Sequence, residues 1–201
     1  MTQDIINTSI APRKEVIMQE AAYLFRRKGY SATTLRELAK RSGIQGGSIY
    51  HHFASKQEIV FKIITETMAE LLQVQNIIEE EQNPVEKLRK AVRFHLGLTK
   101  DKPDEMHITD AELWFLSKPQ LEIVVGQRMA YNKIYFQIIE EGTRRKLMNV
   151  NNLKLATTAI LQMLTGISYW FKEDGPFTIL EIADEYINIM LWGTSGKSVE
   201  R

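Results

Sequence analysis

The stretch Gly43–Phe53, "GIQGGSIYHHF", decides the fold. It follows "TTLRELAKRS", where Leu35, Leu38 and Ala39 recur at helical spacing and Gly43 supplies a sharp stop. Beyond the stop, Ile44, Ile49 and Phe53 share one apolar face. A helix, a glycine turn and a second helix of about one to two turns make a helix-turn-helix. That register leaves Gln45, Gly46, Gly47, Ser48, Tyr50, His51 and His52 on the outer surface. Their chemistry suits a nucleic-acid groove. Gly46 and Gly47 remove bulk so that the backbone can approach, Gln45 and Ser48 can exchange hydrogen bonds with base edges or phosphate, and Tyr50 and His51 can donate to phosphate oxygens. Thr33 and Thr34 lie at a helix N-terminus whose unpaired N–H groups favour phosphate, and Lys56 opens the next helix.

Outward from this stretch the pattern is helical nearly throughout. Upstream, "RKEVIMQEAAYLFRRKG" places Val16, Ile17, Ala21, Leu24 and Phe25 on one stripe and stops at Gly29. Thr34 with Glu37, and Ser55 with Glu58, have the spacing of reciprocal capping boxes. The second box opens a long amphipathic stretch that Asn83-Pro84 closes. Further runs are expected at 84–100, 105–116, 119–147, 152–172 and 178–192. With no alternating strand pattern, the fold class is all-α. A helix-turn-helix domain is expected over residues 1–54, and a helical effector-binding and dimerisation domain over 55–201.

Composition narrows the function classes. Cysteine is absent, which excludes disulfides, thiolate metal sites and cysteine nucleophiles. No apolar run is long enough to span a bilayer, and the opening residues lack the order of a signal peptide, so a cytoplasmic protein without membrane contact is expected. Residues 1–60 hold nine Lys/Arg against five Asp/Glu, whereas residues 61–201 hold seventeen against twenty. A basic N-terminal third suits an anionic partner there. Adjacent His51 and His52 point about 100° apart on a helix and do not chelate one ion easily. His107 and Asp110 have a usable separation but lack a completed ligand set. No nucleophile–base pair stands at working spacing, so neither metal, cofactor nor enzyme activity is expected.

The run "AAYLFRRKGYSATTLRELAKRSGIQGGSIYHHFASKQEIV" resembles the DNA-binding domain of TetR-family transcriptional regulators, over about residues 13–60. The resemblance implies a homodimeric repressor with a helical body that binds a small effector. Thr34, Ser48, Tyr50, His51 and Lys56 fall where that family contacts DNA, and Gln45 and Gly47 in its base-reading neighbourhood. It implies double-stranded operator DNA as partner, and a dimer through helices 152–172 and 178–192. Leu153, Ala156, Ile160, Met163, Leu164, Ile167 and Phe171 make a broad stripe on the first of these. The second is apolar on two faces, as a helix covered on both sides must be.

The expected pocket residues are Phe94, His95, Leu98, Trp114, Arg128, Tyr131, Tyr135, Met163 and Trp170, large side chains with a few polar handles suited to a mainly apolar effector. His95 also reads as a satisfied core histidine. "GISYWFKEDGPFTILEIADEYINIMLWG" is similar to the end of a TetR subgroup that responds to acyl-CoA thioesters, which implies ligand near Trp170 and phosphates near Arg128, Arg144 or Arg145. Another hydrophobic small molecule, such as a drug or aromatic compound, and an activator instead of a repressor, fit the same sequence.

Overall fold

The computed structural model describes residues 2–193, with side chains from residue 13 onward. The helices are α1 (Thr2–Lys28), α2 (Leu35–Arg41), α3 (Lys56–Leu72), α4 (Val74–Ile78), α5 (Pro84–Asp101), α6 (Pro103–Ala111), α7 (Lys118–Arg144), α8 (Leu153–Trp170) and α9 (Ile179–Trp192). Two 3-10 turns, Gly46–His51 and Leu113–Phe115, interrupt them, and no strand occurs among the described residues. The all-α class stands. None of the described helices is long and apolar enough to cross a membrane.

The chain divides into two compact units, one of residues up to Met68 with Asp104–Val124, the other of Ala69–Pro103 with Val125 onward. Segment 104–124, expected in the C-terminal domain, thus packs with the N-terminal unit. Four contacts hold it there. Asp104 carboxylate oxygens accept from Arg26 at 3.2 Å and Arg27 at 3.1 Å. The Phe115 ring stacks on Tyr30, centroids 4.1 Å apart, and its carbonyl accepts from Gln57 Nε2 at 2.6 Å.

Helix ends follow their capping chemistry, with corrections. Thr34 caps α2 by accepting from the Glu37 N–H at 3.1 Å, but the Glu37 carboxylate pairs with Lys28 instead of returning to Thr34. Only half of that expected box forms, because a cation on α1 competes for the acid. Ser55 accepts from Glu58 N–H at 3.1 Å while Glu58 reaches one residue further back, to Ala54 N–H at 2.6 Å. The full reciprocal box is at α9, between Thr178 and Glu181, where the sequence reading had not placed one. The expected run 105–116 breaks after Ala111, 119–147 ends at Arg144, and the stretch from Ser55 breaks at Gln73 between α3 and α4.

The first unit buries Ile17, Ala21, Leu24 and Phe25 of α1 against Leu38 and Ala39 of α2 and Ile59, Val60, Ile63 and Ile64 of α3. Val16, expected on this stripe, stands 40% exposed. In the second unit α5 lies against α4, α8 and α9. Its core is Leu88, Val92 and Leu96 with Ile134, Ile138 and Ile139 of α7, Leu164 and Ile167 of α8, and Ile182 and Ile187 of α9. α9 is covered on this face only: Leu180 is 64% exposed, as is Leu155 of α8 at 68%.

Gly43 ends α2 at φ +68°. Ile44 N–H bonds the Ala39 carbonyl at 3.0 Å and Gly43 N–H the Lys40 carbonyl at 3.3 Å, the paired bonds of a Schellman stop. Space is open around Gly43, so an added methyl is opposed by the backbone conformation alone. Gly43→Ala should lower stability by about 1–2 kcal/mol, read as a shift in urea midpoint with unchanged slope.

Candidate nucleic-acid interface and buried polar core

The segment after Gly43 forms the expected short helix as a 3-10 turn, Gly46–His51. Two adjacent glycines, each disfavouring helix by roughly 1 kcal/mol relative to alanine, weaken any longer helix here. Its anchors are Ile49 and Phe53, at 0% and 3% exposure. Ser48 N–H bonds the Gln45 carbonyl at 2.9 Å, and Phe53 N–H the Ile49 carbonyl at 3.0 Å. The anchors turn Gln45, Gly46, Gly47, Tyr50 and His51 outward, with Ser48 half-buried. Tyr50 is 61% exposed although aromatic. His52, expected outside, is half-buried. Burial first, then Lys14, His51 and Arg13, hold its pKa below the usual histidine value, so it stays neutral at neutral pH.

Two of the expected contact residues, Thr33 and Lys56, have partners within the chain. Thr33 is buried, its hydroxyl donates to the Gly29 carbonyl at 3.0 Å, and its N–H bonds the Tyr30 carbonyl at 3.2 Å. The Lys56 ammonium is turned inward onto the carbonyls of Tyr30 at 2.6 Å, Thr33 at 2.8 Å and Ser31 at 3.4 Å. Thr34 is exposed, with its hydroxyl oxygen occupied by the cap. Arg36 was missed. It is exposed on α2, and its Cγ stands 4.0 Å from where a Cβ on Gly46 would be, which sets it beside the reading turn. Its signal was available: a basic residue on the helix that leads into the double glycine.

The expected pocket residues separate. His95, Tyr131 and Tyr135 come together as a buried chain: His95 Nδ1 meets Tyr131 Oη at 2.9 Å, Tyr131 Oη meets Tyr135 Oη at 3.1 Å, and Tyr135 donates to the Ala91 carbonyl at 3.1 Å. Because Tyr135 gives its one proton to the Ala91 carbonyl, Tyr131 donates to Tyr135 and accepts from His95, which assigns the Nδ1-protonated tautomer. His95 Nε2 is buried without an aligned partner. Burial lowers the His95 pKa to about 4, with the Leu164 carbonyl acting in the opposite sense. Burial also pushes the Tyr135 phenol up.

Phe94, Leu98 and Met163 are half-buried in the same unit. Arg128 lines a concave strip of about 540 Å³ along α7 with Val125, Met129, Asn132, Lys133 and Phe136. Trp114 belongs to the first unit and is 92% exposed, so it does not join the buried chain. Its 3-10 turn spends the inward direction on Phe115. Trp170 is 49% exposed at the end of α8. Surface position, not burial, is what the structure gives both tryptophans. No metal-competent cluster of acids and histidines occurs among the described residues.

An anchored reading turn behind a Schellman stop defines the class of protein: a helix-turn-helix DNA-binding regulator. Comparison with known proteins carries this to a family. The model of bacterial regulatory proteins of the tetR family matches residues 17–63, and that of the tetracyclin repressor-like C-terminal domain matches residues 81–194. The chain belongs to the TetR family of transcriptional regulators. These are DNA-binding repressors and not enzymes, and ligand binding and dimerisation are typical of them. The HTH-type transcriptional repressor KstR2 of Mycolicibacterium smegmatis is 27% identical over 186 residues, covering 91% of each chain. The TetR-family regulator PfmR of Thermus thermophilus superposes with a TM-score of 0.83 at 29% identity, over 92% of this chain and 99% of that one. AibR, solved in complex with isovaleryl coenzyme A and operator DNA, gives 0.81 at 26% identity, over 90% and 98%.

The His95 pKa makes stability depend on pH. Its folded value lies below the unfolded one, so the unfolded chain binds the proton first and stability falls as pH drops from about 6.5 to about 4. The full loss is roughly 3 kcal/mol. Urea midpoints measured across this window should fall for the wild type, and His95→Gln should flatten the His95 part of the dependence.

Proposed function

We propose that the protein is a homodimeric repressor that binds a palindromic operator through two copies of the Gln45–His51 turn and is released by a largely apolar effector. The observation that carries the reading is the outward set of Gln45, Gly46, Gly47, Tyr50 and His51 on a turn pinned by two buried apolar residues. Such a rim has no core role, and its groups are hydrogen-bonding and sterically open. Ser48, Tyr50, His51 and Arg36 reach phosphate, Gln45 and the glycine backbone approach base edges, and Thr34 offers its exposed flank. α8 and α9 are the dimer surface, their exposed Leu155 and Leu180 suited to burial against a second copy. Two-fold symmetry then sets the reading turns about 34–36 Å apart.

For the effector, the half-buried Phe94, Leu98 and Met163 with the His95–Tyr131–Tyr135 chain provide an apolar setting that holds a few polar groups. An acyl-CoA thioester fits this composition, and AibR was solved with isovaleryl coenzyme A. An effector that binds one spacing of the two heads more tightly shifts the dimer toward it.

Binding of the protein to a duplex carrying its own upstream region should weaken steeply with salt. Arg36→Ala and His51→Ala should each weaken it, and Arg36→Ala should also reduce the salt slope by about one unit. Affinity indifferent to salt would rule out the reading. Leu180→Glu should convert the dimer to monomer in sedimentation.

A further inference from the structure

The reading turn has a cation near each end. At its start, the Arg36 Cγ stands 4.0 Å from the place a Cβ on Gly46 would take, and the side chain is exposed on α2. Beyond its last residue, Lys14 of α1 holds its Nζ 5.7 Å from the centre of the ring of Phe53, the buried anchor. Arg13, its neighbour on α1, is exposed. Both act on His52: burial first, then Lys14, His51 and Arg13, hold that imidazole below the usual histidine value. Arg13, Lys14 and His51 therefore gather around His52, at the opposite end of the turn from Arg36.

The cations of α1 fall into two groups. Near its C-terminal end, Arg26 and Arg27 pair with Asp104, and Lys28 with Glu37. Arg13 and Lys14 have no carboxylate partner among the described residues. They leave a positive field at this end of the turn, with nothing in the head set against it. A six-residue 3-10 turn, at about 2 Å per residue, is about 12 Å long. The major groove of B-DNA is also about 12 Å wide, with a phosphate strand on each side. Groups at the two ends of the turn are thus spaced to meet opposite strands.

We propose that Arg13 and Lys14 of α1 are a phosphate-binding pair, which meets the DNA strand on the other side of the groove from Arg36. The proposal rests on the DNA-binding reading and extends it to a helix outside the helix-turn-helix, since none of the contacts that the family resemblance implies lies on α1. The two side chains bring different chemistry. The exposed Arg13 guanidinium can give two parallel hydrogen bonds to one phosphate. Lys14 is half-buried against the Phe53 ring, so its ammonium is partly ordered before DNA arrives and loses less freedom on contact.

The test compares wild type with Arg13→Gln, Lys14→Gln, their double variant and Lys14→Arg, and takes Lys100→Gln on α5 as the control. In the free protein, NMR titration of the histidines should show His52 moving up toward the usual value in the double variant, because two charges that oppose its protonation are gone. An unmoved His52 would separate the pair from the turn and overturn the proposal without reference to DNA. On a duplex carrying the upstream region, each single Gln variant should lower the salt slope by about one unit per subunit, and the double variant by about two. Lys14→Arg and Lys100→Gln should keep the wild-type slope. Weaker binding at an unchanged slope in the Gln variants would make the pair a support for Phe53 and overturn the proposal. If wild type itself binds without salt dependence, the DNA-binding reading fails and takes the proposal with it. A steep wild-type slope that the Gln variants leave intact removes the proposal alone.

Discussion

The rest of the reading head depends on the burial of Ile49 and Phe53. A six-residue 3-10 turn containing two glycines is not stable alone, because so few hydrogen bonds do not offset the ordering of its backbone. Its shape is imposed from below. Two side chains at 0% and 3% exposure fix the register, and the neighbours of opposite register are turned to solvent. The glycines, a weakness in a free helix, become tolerable once the anchors hold the backbone, and they leave the outward surface flat enough for close approach. On the DNA-binding reading, stability and recognition divide the segment between them, residue by residue.

That division explains what the sequence made legible. Apolar spacing is a property of one segment against its own core, so the α2 stripe, Gly43, Ile49 and Phe53 were readable, as were the all-α class and most helix limits. What escaped were long-range competitions. Glu37 has the spacing of a box residue, but Lys28 arrives from α1 and takes it. Lys56 stands where a helix-start cation meets phosphate, and in the free chain a loop 23 to 26 residues earlier also offers it carbonyls. Trp114 and Phe115 are neighbours, and nothing local says which one faces Tyr30. Thr178 with Glu181 is the opposite case, a local signal that formed as its spacing allows.

The candidate pocket was partly legible for the same reason. His95, Tyr131 and Tyr135 lie on the inward faces of α5 and α7 and meet. A buried chain of this kind works as a support whether or not a ligand reaches it, since each phenol needs a partner once desolvated. Its unaligned Nε2 is a group whose hydrogen-bonding capacity this support does not use.

Charge completes the connection between the two units' roles. The surplus of cations in the first sixty residues overstates what a DNA backbone would meet. Arg26 and Arg27 are turned to Asp104, Lys28 to Glu37, and Arg41 to Glu20. Arg27 and Arg41 also cover the Tyr23 ring from 3.7 and 4.2 Å. These groups hold the head together; Arg36 and Lys40 remain exposed on α2 with no ion pair among the described residues. Because sequence-independent affinity scales with the phosphates neutralised, a head with few outward cations binds weakly by itself. Linking two such heads makes the second binding event intramolecular and multiplies their affinities. On the repressor reading, then, the uncovered faces of α8 and α9 matter to DNA affinity as much as to the body's own stability. A change in the spacing of the heads need not touch a single phosphate contact to release the operator.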